Sequence, residues 1–96
     1  MKLALAFLSL LTCCTVVAAA ENPEVASVAK IWDQGKHNAF TDLIRWHDKW
    51  WCTFREADAH VGGDGQARVL VSSDGTTWES AALISEKGID LRDPKF

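Results

Sequence analysis

Val69-Leu70-Val71-Ser72-Ser73-Asp74-Gly75-Thr76-Thr77-Trp78-Glu79 decides how the chain folds. Val69, Leu70 and Val71 are apolar, and two of the three are β-branched, which suits a buried strand. Ser72, Ser73, Asp74 and Gly75 then supply turn chemistry. Serine and aspartate oxygens bond nearby backbone N–H groups, and glycine tolerates a positive φ. Asp-Gly between two apolar runs is a strong hairpin signal. Trp78 opens the return strand with a large apolar plate. The segment is therefore expected to be a strand, a tight turn and a second strand.

Outward from this hairpin the same pattern repeats. A first strand is expected over Phe40 to Trp46, centred on Leu43 and Ile44, followed by a turn at His47-Asp48-Lys49. A second covers Trp50 to Arg55. A longer loop, Ala57 to Gln66, holds Gly62, Gly63 and Gly65. The third strand is Ala67 to Val71, and the fourth runs from Thr77 to about Ile84. Four short strands in roughly fifty residues form an all-β, up-and-down antiparallel sheet of the size of one β-propeller blade. Before it, Val25, Val28, Ile31 and Trp32 fit a short helical turn and an irregular strand equally well. After it, Asp90 to Phe96 reads as the start of a new strand, which suggests a chain cut short.

The first twenty residues differ from the rest. Lys2 is their only charge, Leu3 to Val17 is almost wholly apolar, and Ala18-Ala19-Ala20 offers small residues for cleavage. That is the plan of a secretory signal peptide, residues 1–20, cut near Ala20; an uncleaved anchor is the alternative. Losing Lys2 from the ten basic residues leaves nine against thirteen acidic ones. The mature chain has no basic run, which argues against nucleic acid or an anionic membrane surface as partner. Of the three cysteines, only Cys52 survives cleavage. A single cysteine cannot staple the chain, and inside an apolar run it reads as a small buried hydrophobe rather than a reactive thiol. His37, His47 and His60 have no metal-ligand spacing, so neither a metal nor another cofactor is expected.

Ser72-x-Asp74-Gly75-x-x-Trp78 resembles the Asp-box, the hairpin repeat of sialidase-like β-propellers, in a variant with one residue fewer between Asp and Gly. His37-Asn38-Ala39-Phe40, Trp50-Trp51-Cys52-Thr53-Phe54-Arg55-Glu56, Arg68-Val69-Leu70 and Arg92-Asp93-Pro94 extend the likeness to the exported exo-sialidase-like (BNR/Asp-box) six-bladed propeller family, over roughly Val25 to Phe96. The resemblance implies three parts beyond the signal. Residues 21–36 would be an N-terminal segment acting as a ring-closing strand. Residues 37–96 would be the first blade and the start of the next, the remaining blades being missing. The implied function is a glycoside hydrolase acting on terminal acidic sugars of glycans, incomplete as this piece. Asp-box propellers without activity also exist, so a non-catalytic glycan- or protein-binding propeller is the rival.

In a four-stranded meander, alternate connections lie at opposite ends. The turns at His47-Asp48 and Asp74-Gly75 share one end. The loop 57–66, the stretch around His37-Asn38 and the stretch around Arg92-Asp93 share the other, where ligands of this family bind. Expected substrate contacts are thus Arg55, Glu56, His60, His37, Arg92 and Asp93, with Asp58 as a general acid in the loop. Arg55 either grips a sugar carboxylate bidentately or forms an ion pair with Glu56 or Asp58. Arg92 is similar to the Arg of the sialidase Arg-Ile-Pro signature, with Asp93 in place of Ile. Ser72, Asp74, Gly75 and Trp78 are expected to be structural, away from the ligand. Retaining sialidases use a tyrosine nucleophile, and this chain has no tyrosine. A lone blade leaves its faces and edges uncovered.

Overall fold

A computed structural model describes residues 21–96, and the expected export signal lies outside the described residues. Four strands follow one another: β1 (His37–Trp46), β2 (Lys49–Ala57), β3 (Gln66–Ser72) and β4 (Glu79–Ile84). They form one sheet in the order β1-β2-β3-β4, every neighbour antiparallel, and no described residue is helical. The sequence pattern placed each of the four. β1, β2 and β3 run up to three residues past the expected bounds, because ladder hydrogen bonds continue past the last apolar side chain, whereas β4 starts two residues later than expected, with the Thr77 N–H held by Asp74.

The turn between β1 and β2 is tighter than expected. Trp46 pairs directly with Lys49, leaving a two-residue loop of His47 and Asp48. Both have positive φ, 47° and 59°, as the two-residue loop that matches strand twist requires. Within β1 the register shifts between Ala39 and Asp42, and Phe40 takes φ 61° there. That is a β-bulge with a bulky residue in the left-handed region.

Neither flanking segment is a strand. Residues 21–33 have no regular secondary structure, and neither have 91–96. A strand requires a ladder partner, and no described strand forms a ladder with either segment. The stretch after β4 instead makes a single isolated bridge, Glu86 to Ile89.

Because successive side chains alternate, the sheet has two distinct faces. On one, Cys52, Phe54 and Leu70 are buried, and Ile31, Trp32 and Trp78 pack over them. Cys52 is 2% exposed and unpaired, and desolvation, with Asp42 nearby, pushes its thiol pKa up. It therefore behaves as a small core hydrophobe. On the other face, Ile44, Trp46, Trp51, Val69 and Phe96 line a shallow apolar cleft of about 390 Å³. Phe96 reaches it with its N–H donated to Asp42 Oδ2 at 3.2 Å.

Candidate functional site

The end of the sheet away from the two hairpin turns gathers most of the charged residues that could meet a ligand. Its centre is Arg55, the last but two residue of β2, with a side chain 0% exposed. An arginine in so apolar a strand needs an anion, since a buried charge without a partner is costly. That anion is Asp90, 35 residues away. Arg55 Nε donates to Asp90 Oδ1 at 2.8 Å, and Nη2 lies 2.7 Å from the same oxygen. Nη2 is off the hydrogen-bond direction and remains a buried donor without an aligned acceptor. Nη1 donates to the Ala59 carbonyl at 2.9 Å. The expected ion-pair partners of Arg55, Glu56 and Asp58, are both engaged elsewhere, so that assignment is corrected to Asp90.

Asp90 joins three segments. Its Oδ1 also accepts from the Gly65 N–H at 3.1 Å, and its Oδ2 accepts from Arg92 Nε at 2.8 Å. Arg92 Nη2 then donates to the His60 carbonyl at 3.3 Å, and Leu91 N–H to the Gly65 carbonyl at 2.9 Å. Desolvation pushes the Asp90 carboxyl up, but hydrogen bonds and charge from Arg55 and Arg92 outweigh it and hold the pKa below the usual range. Gly65 is required by proximity. A Cβ there would fall onto Asp90 Oδ1 and Arg55 Nε, and 2.9 Å from Arg55 Cζ.

Glu56 follows Arg55 in sequence and therefore points to the opposite face. There it takes a two-pronged contact from Arg68, Nη2 to Oε1 at 2.8 Å and Nε to Oε2 at 3.1 Å. Trp32 Nε1 donates to Oε2 at 2.7 Å, and the Arg68 guanidinium lies 4.8 Å from the Trp32 ring centre. The Arg68 hydrogen bond is the main cause that lowers the Glu56 pKa; partial burial opposes it, and the Trp32 bond and the Arg68 charge assist it. Arg68 Nη1 reaches Ser80 Oγ at 2.8 Å. This cluster fastens the N-terminal segment across three strands.

The remaining residues spread around the rim. Asp58 is 83% exposed and pairs with Lys36 at 3.1 Å. Both border a shallow polar depression of about 550 Å³ with Gln34, Glu56, Asp64 and Gln66. His37 and His60 face each other with ring centres 5.2 Å apart, and Phe40 lies 5.7 Å from His60. His37 Nδ1 is buried without a partner. Asp93 is exposed with φ 47°. Arg55, Arg92 and the His60 backbone thus converge through Asp90, while Glu56 and Asp58 stand apart from them. Among the described residues, no group of three His, Cys, Asp or Glu side chains could hold a metal ion.

The Ser72–Asp74 corner lies at the opposite end. Asp74 Oδ1 accepts from the N–H groups of Thr76 at 2.8 Å and Thr77 at 2.7 Å, and from Ser72 Oγ at 3.0 Å. Ser72 Oγ accepts from the Gly75 N–H at 2.9 Å, and Trp78 Nε1 donates to the Gly75 carbonyl at 3.1 Å. Bonds from Thr77, Thr76 and Ser72, in that order, lower the Asp74 pKa from 3.8 to about 2. The carboxylate is occupied in holding its own turn.

Sequence reading missed Asp90, Arg68, Gly65 and Trp32 as partners. One signal was present: an arginine ending Trp-Trp-Cys-Thr-Phe calls for a buried acid somewhere in the chain. By fold and site the protein is a small antiparallel meander with an aspartate-cornered hairpin at one end and an arginine–aspartate clasp at the other. Compared with family models, curated proteins and solved structures, the chain matches none.

Proposed function

We propose that the chain is the N-terminal blade of an exported, sialidase-like β-propeller that acts on terminal acidic sugars of glycans. The observation supporting this is the corner itself: Asp74 bonding two backbone N–H groups at the β3–β4 turn of a four-stranded meander, with Trp78 packed beneath. Blades of this size and order are the units of propellers. The blade brings no complete catalytic set of its own. It has no tyrosine, and Asp58, 83% exposed at the rim of the polar depression, is paired with Lys36. Arg92, 38% exposed beside the loop, is the cation a sugar carboxylate would meet. Export through residues 1–20, with Glu21 as the new N-terminus, belongs to the same reading.

Binding is tested by NMR titration of the chain with sialyllactose and with lactose. Shifts at Arg92 and His60 with sialyllactose only, lost in Arg92→Ala, are expected, with no turnover of a fluorogenic sialoside. Equal responses to both sugars would remove the acidic-sugar reading. A non-catalytic glycan-binding propeller is the second reading, favoured by the 0% exposure of Arg55 and its engagement by Asp90. A substrate carboxylate would first have to displace that aspartate.

A further inference from the structure

Two regions of the molecule are left exposed together. Residues 21–30 are exposed throughout and carry no regular secondary structure, with Val25 82% and Val28 90% exposed. All six residues of β4 are exposed, including Leu83 at 43% and Ile84 at 55%. Among the described residues, the outer edge of β4 carries no further strand, so its backbone groups on that side have no ladder partner there. Unpaired edges of this kind recruit extended segments. The arm of the same chain does not cover the edge, since both remain exposed.

We propose that residues 24–30 of one copy pair antiparallel with β4 of a second copy, and the reverse, in a two-fold arm-exchanged dimer. Charge and composition select the partner and the direction. Antiparallel, with Ala81 the bulged extra residue of β4, Lys30 stands opposite Glu79, Val28 opposite Ala82, and Ala26 opposite Ile84. Parallel pairing would set Glu24 or Val25 against Glu79 and carry Lys30 past the end of β4 at Ile84. Opposite charges across a strand pair stabilise it, and like charges oppose it. Pro23, which lacks an N–H, would fall opposite Lys87, beyond the end of β4 at Ile84. Seven residues extended reach about 23 Å, longer than six-residue β4. At the far end Ile31 and Trp32 anchor the arm on its own sheet, with Trp32 held by Glu56 and Arg68. Reciprocal exchange satisfies both edges at once and closes the assembly. The inference concerns self-association and stands apart from the glycan reading.

The test is analytical sedimentation of the purified chain over a dilution series, paired with amide exchange. The small interface predicts a dimer that dissociates at about 10–100 μM, with β4 amides protected only in the dimer. Ser27→Pro/Val28→Pro removes two consecutive N–H donors, one of which faces β4, in a segment the monomer does not pack. That variant is expected to be monomeric with an unchanged melt at high dilution. Lys30→Glu and Glu79→Lys should each weaken association about tenfold, since every contact occurs twice, and the double variant should regain it. A wild-type monomer at all concentrations overturns the proposal. So does a dimer that survives the prolines, a charge swap that fails to rescue, or protection of β4 that is independent of concentration.

Discussion

The two ends of the sheet both rest on an aspartate, and they hold it in opposite ways. At the corner end, Asp74 bonds Ser72, Thr76 and Thr77, none more than three residues away. At the loop end, Asp90 bonds Arg55 and Gly65, 35 and 25 residues away. The first aspartate shapes a turn that local chain geometry nearly dictates. The second joins β2, the loop 58–65 and the segment after β4, and so depends on the whole sheet being assembled. A short-range network survives partial unfolding, whereas a long-range one reports it.

The sharpest way to break this contrast is Arg55→Met. Removing the cation deprives the Ala59 carbonyl of its side-chain donor and leaves Asp90 with only Arg92 and the Gly65 N–H. Because Asp90 keeps those two partners, the cost is expected at the low end for a broken buried pair, about 3 kcal/mol. Chemical denaturation should show that loss, with amide exchange rising first at 58–65 and 88–92. An unchanged midpoint would mean that the clasp holds nothing. Gly65→Ala comes next, because its Cβ would collide with the Arg55–Asp90 pair; about 1–3 kcal/mol is expected from overpacking. Asp74→Asn should lower the midpoint less than either and leave exchange at the loop end unaltered. If it instead loosened Asp90, the two ends would be coupled.

Acid separates the two ends further. Asp74 has a folded pKa of about 2, below its ordinary 3.8. Its contribution is therefore fully present above the unfolded value and is lost as pH falls through about 2. Asp90 and Glu56 are lowered too, so each also stabilises at neutral pH and gives this up on acidification. Melting followed from pH 5 down to pH 2, roughly the span of these carboxylates, should show a falling midpoint, with a shallower slope in Asp74→Asn. The smallest effect is expected at the β1–β2 turn, where Asp48→Gly removes a left-handed non-glycine residue and should raise stability by about 0.5–1 kcal/mol.

These differences track what could be read before the fold was known. The four strands and the Asp74 corner were legible because apolar runs, Asp-Gly and the spacing to Trp78 act over a few residues. The loop end was legible only as a neighbourhood. Arg55 and Glu56 looked like one charged unit, yet strand alternation sends them to opposite faces, one to Asp90 and the other to Arg68. Asp58 was legible as a loop carboxylate, but its pairing with Lys36 was not. Phe40 at φ 61° carried no mark in its side-chain chemistry, since a bulge arises from the register of two strands.

Residue order alone determined an all-β meander and the side chains that close its serine–aspartate turn, because those interactions form within one hairpin whatever surrounds it. Only the tertiary structure decided which carboxylate neutralises Arg55, why Gly65 cannot carry a side chain, and that Trp32 is fastened across the sheet. Such choices belong to residues brought together from distant parts of the chain, and distance along the sequence says nothing about which of several acids arrives first.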